Sequence, residues 1–275
     1  MTLIIDSGFN YDPDASAYID AVEAADQADT PGIGAMETAT RYAIDDFVLG
    51  CKQDGIWNAI KASCILAGAK TLEGSFIDLK SRTKLLDNNG PFADGTYVGS
   101  NYTTGDYNRK TGLMGNGTTK YLNSNRANNA DPQNSSHIAA YVSSQATGQI
   151  IVGGDNLSTG RNYIDDTGTL ARFDCRTFSS VSVTRRINAN TLAGVSRSSS
   201  ESYNYRLNGS TVPQLATSGL PDGVNTFIYA RSNGGVIQNL SFCRLAFYSI
   251  GESLNLGLLD ARVTALINAF GVAIP

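Results

Sequence analysis

Between residues 137 and 250, apolar and polar positions alternate in short runs. In HIAAYVSS (137–144), Ile138, Ala140 and Val142 fall on one face, the period-two mark of a half-buried strand. QIIVGG (149–154) is a short apolar run of strand length. VSVTRRI (181–187), TFIYARS (226–232) and FCRLAFYSI (242–250) each read as one strand. YIDDTGTLARFDC (163–175) reads as two strands joined by a turn at 165–168. SYNYRLNGSTV (202–212) places Tyr203, Tyr205 and Leu207 on one face ahead of Asn208-Gly209, a strong two-residue hairpin signal. Many short strands with turns between them and no intervening helix predict a mainly β fold, an antiparallel β-sandwich or jelly roll. Beyond the last strand, Ser253 is a candidate cap for a closing helix in which Leu259, Val263, Leu266 and Phe270 share a face.

Ahead of the strands the period changes to that of a helix. Ser16 is a candidate cap for a short Ala-rich helix reaching about Asp26, with Tyr18 and Val22 on one face. TPGIG (30–34) breaks the pattern. Met36, Thr40, Ala43, Phe47 and Cys51 then recur at helical spacing. After Asp54-Gly55, Ile56, Ile60, Cys64 and Ala67 make a second stripe that reads as another helix ending at Gly68. Short amphipathic helices bury little area alone, so these faces need the strand-rich half or other copies of the chain. Residues 1–90 are therefore expected to form a helical anchoring and oligomerisation segment, and residues 91–275 the sandwich. Phe47, Trp57 and Ile60 are candidate interface residues, with Trp57 packing at a helix junction.

Charge follows the same division. Residues 1–90 carry a net −7 and residues 91–275 a net +3, together the −4 of the whole chain. An acidic balance argues against general nucleic-acid binding. No run approaches the roughly 18 consecutive apolar residues of a membrane span, and MTLIIDSGFN lacks the basic start and long apolar stretch of a signal peptide. Membrane insertion is not expected. Charged residues are only 17% and hydrophobic residues 41% of the 275-residue chain, and Gly, Ser, Thr and Asn make up the deficit.

The inventory for catalysis is thin. The single histidine, His137, has no flanking nucleophile or carboxylate motif and reads as a strand residue on the solvent face. Four cysteines, at 51, 64, 175 and 243, show no metal-ligand spacing and read as buried reduced thiols. Asp45-Asp46 point about 100° apart on a helix and read as solvated, while Asp165-Asp166 read as turn residues that lack the EF-hand spacing of a calcium site. GLMGNGTTK (112–120) precedes a strand and reads as a tight turn rather than a phosphate loop. Only Glu201 and Glu252 are glutamates in the second half, which disfavours a two-carboxylate glycosidase. No cofactor, metal or catalytic residue is expected, and the chain reads as non-enzymatic. Tyr203 and Tyr205 are the candidate glycan-stacking residues. The arginine-rich second half suggests docking on acidic surface or solvated strand faces, and Arg185 and Arg186 join the interface candidates.

The stretches 46–74 (DFVLGCKQDGIWNAIKASCILAGAKTLEG), 105–135 and 245–270 (LAFYSIGESLNLGLLDARVTALINAF) resemble a family of virion structural proteins of tailed phages, many of them marine. Residues 91–275 also resemble laminin-G/concanavalin-like jelly rolls, on the Gly-rich turn at 115–122, the Leu-Asn-Gly hairpin at 207–209 and the last strand running into a helix. These resemblances imply a tail-fibre or tail-appendage component, assembled in the host cytoplasm into the virion. They also imply a homo-oligomer contacting other virion proteins, with a lectin-like jelly roll that adheres to a host-surface glycan. The alternative they leave open is a capsid decoration or head-fibre protein that braces its neighbours.

Overall fold

The computed structural model describes residues 10–85, 102–144, 149–155, 160–179, 181–233 and 236–275. Helices α1 (Pro13–Asp29) and α2 (Thr38–Gln53) come first. The strands are β1 (Ile60–Ile65), β2 (Tyr107–Asn108), β3 (Gly112–Met114), β4 (Leu122–Ala127), β5 (Ser136–Ser144), β6 (Gln149–Asp155), β7 (Asn162–Asp166) and β8 (Ala171–Cys175). They continue with β9 (Val181–Val183), β10 (Thr191–Arg197), β11 (Ser202–Leu207), β12 (Ser210–Leu215), β13 (Asn225–Ile228), β14 (Arg231–Asn233), β15 (Val236–Gln238) and β16 (Arg244–Gly251). Helix α3 (Leu256–Ala273) closes the order.

Two eight-stranded sheets form the sandwich. The first runs β12-β11-β10-β5-β16-β3-β2, with β1 added beside β16. The second runs β15-β14-β6-β7-β8-β9, with β13 joining β6 to β4. The fold is mainly β and antiparallel, as the alternation predicts, with β14 parallel to β6. One core fills the space between the sheets through Ile138, Val142, Ile164, Phe173 and Leu245. A second core lies on the opposite face of the first sheet, where Ala139, Tyr141, Leu192 and Phe247 meet Ile44, Phe47, Leu259, Val263 and Phe270 of the helices. The first sheet is thus a central layer buried on both faces. The helical faces read from the sequence are real, and the chain's own sheet covers them. The domain boundary drawn at residue 90 lies outside the described residues.

That double burial corrects one expectation. The stripe Ile56, Ile60, Cys64 and Ala67 is not a helix. Ile60–Ile65 is β1, paired antiparallel with β16. Ala62, Cys64 and Leu66 enter the core between the sheets, while Ile60, Ile65 and Ala67 enter the helix-side core. A strand apolar on both faces loses its period of two, and helical spacing can be read into it. A second correction concerns 226–232, which is two strands. Tyr229 stands at φ 67 and turns the chain, so β13 lies antiparallel and β14 parallel to β6. The Tyr229 hydroxyl donates to the Leu113 carbonyl at 2.6 Å and secures the turn.

The helix caps lie near the positions read from the sequence. Asp12, not Ser16, caps α1 by accepting from the Asp14 N–H, with Pro13 in the first turn. Asn255 caps α3 by accepting from the N–H groups of Gly257 and Leu258. Ser253 instead donates its backbone N–H to Ser135 Oγ, 3.1 Å away. By length and composition α3 is apolar enough to cross a membrane. Its apolar face is packed on the sheet and α2, and its two charged residues are paired, Asp260 with Arg206 and Arg262 with Asp54.

β12 is an edge strand of the central sheet. Leu207 and Ser210 flank the two-residue turn, and pairs alternate outward from that hydrogen-bonded pair. Pro213, opposite Asn204, therefore stands where an N–H would point at the free edge. The missing donor blunts that edge against pairing with another chain.

Phe47 meets Phe247 edge-on at 5.6 Å between the helix layer and the sheet. We expect Phe47→Ala to cost about 3–5 kcal/mol, read by denaturant unfolding. If this face were covered by another copy instead, the loss would change with protein concentration.

Candidate functional site

One end of the sandwich gathers the loops at 128–135, 176–179, 198–201 and 216–224, and two buried arginines hold them. Arg176 is 1% exposed and left-handed at φ 52. Its guanidinium donates to Asn128 Oδ1 at 2.6 Å and to the Asp131 carbonyl at 3.2 Å. Its own N–H donates to Asn162 Oδ1, and its carbonyl accepts from the Gly219 N–H. Arg197, fully buried, donates to five carbonyls, those of Cys175, Ser199, Ser200, Ser202 and Ala216, at 2.8–3.3 Å. Burial lowers both guanidinium pKa values, yet arginine keeps its charge in proteins. A buried cation needs oxygen partners to offset lost hydration, so each arginine fixes the loop carbonyls that surround it.

On this braced end the chain displays an apolar and cationic patch. Phe178 is 57% and Leu220 71% exposed. The Arg161 guanidinium lies 4.7 Å from the ring centres of both Phe178 and Tyr163, and it is ion-paired with buried Asp174. Gly160 lets the 219–220 backbone approach, because a Cβ there would lie 2.4 Å from the Leu220 carbonyl carbon. Neither arginine has a local sequence signal: Arg176 reaches partners 45 and 48 positions away, and Arg197 binds backbone carbonyls, which any residue supplies.

Several sequence-derived candidates fall elsewhere. Tyr203 and Tyr205 face the core between the sheets, with Tyr203 donating to the Phe173 carbonyl and Tyr205 stacked on Phe173 at 5.0 Å. Neither presents a ring to a sugar, because alternation marks a shared face without saying which face is inward. Phe47, Trp57 and Ile60 are buried within the chain. Trp57 Nε1 donates to Asp14, and Lys80 Nζ lies 3.6 Å above the indole. Arg185 is exposed, and Arg186 lies 3.3 Å from buried Asp166.

The arginine-rich face is built from internal pairs. Arg161, Arg172, Arg186 and Arg231 each cover a buried aspartate on the second sheet. Asp165 and Asp166 belong to β7, not to a turn, and point to opposite faces, so they cannot share one ion. Asp45 is buried and accepts from the Asp12 N–H at 2.6 Å rather than being solvated.

His137 is fully buried, not solvent-facing. Its Nδ1–H donates to the Glu252 carbonyl at 2.5 Å and its Nε2 accepts from Ser249 Oγ at 2.8 Å, which fixes a neutral tautomer. Burial pushes its pKa from 6.5 to about 4. The four thiols are buried and free, and burial raises those of Cys51, Cys175 and Cys243 to about 12. Glu201 is exposed, and Glu252 is paired with Lys61 at 2.8 Å. No group of three or more His, Cys, Asp or Glu residues suited to a metal occurs among the described residues.

Fold and loop end together define a helix-covered β-sandwich with one end braced for display. No family model matches the chain, and no curated protein matches it. Among solved structures it is similar to a mutant Trypanosoma rangeli sialidase displaying trans-sialidase activity, with TM-score 0.46, 10% identity, and 82% of this chain on 39% of that one. It is similar to botulinum neurotoxin type C, with TM-score 0.43, 11% identity, and 78% of this chain on 51% of that one. It is also similar to mouse laminin α1 domains LG4-5, with TM-score 0.33, 8% identity, and 48% of this chain on 39% of that one. The chain spans well under two thirds of these proteins, and likenesses this slight transfer neither activity nor ligand.

Two pH effects follow from the buried groups. The unfolded chain protonates His137 near 6.5 and the folded chain only near 4, so the unfolded state binds more protons between those values. Stability then falls as pH drops through that window, by roughly 3 kcal/mol in full. Denaturant unfolding from pH 7 to 4 should show this decline, and His137→Gln should flatten it. Separately, burial lowers the Lys80 amine to about 8, with Arg82, Lys52 and Lys61 adding to the shift and Asp14 opposing it. Trp57 is the only tryptophan, so its emission should titrate near pH 8 and lose that transition in Lys80→Met. An unchanged titration in that variant would show that Lys80 is not its source.

Proposed function

We propose that this chain is a non-enzymatic structural protein of a tailed-phage virion, a tail-fibre or tail-appendage component. In this reading the sandwich adheres to a host-surface glycan through its braced loop end, and the chain assembles as a homo-oligomer with other virion proteins. The observation that carries it is the pair of buried arginines. They spend two guanidiniums on holding loops that display Phe178, Leu220 and Arg161, and a surface ordered before contact loses less entropy on binding. The sequence resemblance over 46–74, 105–135 and 245–270 supports the virion setting. The non-enzymatic reading is supported by the chemistry of the reactive groups. The histidine is held neutral between two hydrogen bonds, the thiols are sealed in the cores, and the second sheet's buried aspartates are paired with arginines.

A second reading is favoured by one observation. A furrow of about 370 Å³ runs between α2 and α3, lined by Ala43, Leu49, Ala265 and Ala269 with Asp46 and Arg262 at its sides. A decoration or head-fibre protein that braces neighbours would use this helix layer and need no receptor.

Binding of the full chain to host cells and to a glycan array separates the two. The double variant Phe178→Ser with Leu220→Ser should keep its melting temperature and lose at least tenfold in binding. Binding that the double variant leaves intact, or its complete absence from the native chain, would overturn the adhesion reading.

A further inference from the structure

Beside the loop end, the flank of the sandwich opens into a pocket of about 230 Å³ between β1 and β4. Ala62 and Leu85 supply its apolar part. Ser81, Thr83 and Asn125 supply exposed polar groups at its wall. Resting on the proposed adhesion function, we propose that this pocket binds a single neutral hexose ring.

Three observations support this assignment. The first is shape. The volume lies below the roughly 300–1,000 Å³ of ordinary small-molecule sites, so it admits one ring rather than a chain of them. A pyranose has an apolar C–H face and a rim of hydroxyls, which suits apolar ground beside polar walls.

The second is hydrogen-bonding capacity. Asn125 is held left-handed at φ 56, with its N–H donated to Asn123 Oδ1 at 2.9 Å. Its side-chain amide makes no hydrogen bond among the described residues and keeps both donor and acceptor. Ser81 Oγ and Thr83 Oγ1 lie 2.7 Å apart, so one of the two hydroxyl protons is left for a ligand. The loop bearing them is fixed by Asp78, which accepts from the N–H groups of Ser63, Lys80 and Ser81 at 2.7–2.9 Å.

The third is charge. Both cations at the pocket are already matched. Lys61 is 2.8 Å from Glu252, and Arg126 makes a two-pronged pair with buried Asp131 at 2.9 and 2.5 Å. An incoming anion would find no unmatched positive charge, and it would meet the Asp78 carboxylate. What the pocket offers is dipoles, and an uncharged polyhydroxylated ring is the ligand that uses them.

The test is ligand-detected NMR on the full chain with methyl glucoside, methyl galactoside and methyl mannoside, against glucuronate and glucosamine as charged comparators. At least one neutral glycoside should bind with a Kd on the order of 1–10 mM, and the charged sugars at least tenfold more weakly. Asn125→Gly removes the amide while keeping the left-handed backbone accessible. It should weaken binding at least tenfold with the melting temperature retained. Thr83→Val, on the opposite wall, should also weaken it and gives a second variant should the first unfold. Glycan binding that Phe178→Ser with Leu220→Ser abolishes and these variants leave intact would sink the pocket and spare the adhesion function. Hexoside binding lost in Asn125→Gly, without attachment to cells or arrays, would uphold the pocket and sink the adhesion function. Preference for glucuronate, or no sugar binding at all, would overturn the assignment.

Discussion

Burial of one sheet on both of its faces governs the rest of this structure. A sandwich ordinarily leaves each sheet a wet outer side, but here the outer side of the central sheet is the floor for three helices. Removing the helices would expose Ala139, Tyr141, Leu192 and Phe247 to water. Removing β1 would strip β16 of a partner and both cores of part of their packing. The N-terminal helices and the strands therefore stabilise one another, and the loops that the strands carry inherit that rigidity.

That rigidity is carried to the loop end by long-range hydrogen bonds. Arg197 reaches carbonyls from Cys175 to Ala216, and Arg176 joins loops that follow β4, β8 and β12. Buried guanidiniums surrounded by carbonyls are costly if any partner is lost. The loops are thereby coupled: shifting one leaves a donor without its acceptor. The pocket on the flank shares in this network through Asp131, whose side chain holds Arg126 and whose carbonyl accepts from Arg176.

Much of the fold is legible in the sequence because its strand-length runs are bounded by turn residues and its helical stripes recur over several turns. The strand 137–144, the Asn208-Gly209 hairpin and the stripes of α2 and α3 follow their periods directly. The failures have a common cause in context that no local window contains. Ile60–Ile65 has two apolar faces, so its period vanishes. Tyr229 adopts a left-handed backbone held by a hydroxyl bond to a residue 116 positions away. Tyr203 and Tyr205 share a face, as their spacing says, but which side that face meets depends on the sheet opposite. The loop end was the least legible part. Its arginines bind backbone carbonyls, which every residue possesses, and composition shows only that arginine is common.

The placement of the thiols has a chemical consequence of its own. Each cysteine is enclosed in a core, unpaired, and shifted away from the thiolate form. Thiolate is the species that attacks disulfides and oxidants. Passage between reducing and oxidising surroundings would therefore leave the covalent connectivity of the folded chain unaltered, and its mechanical strength would rest on non-covalent contacts.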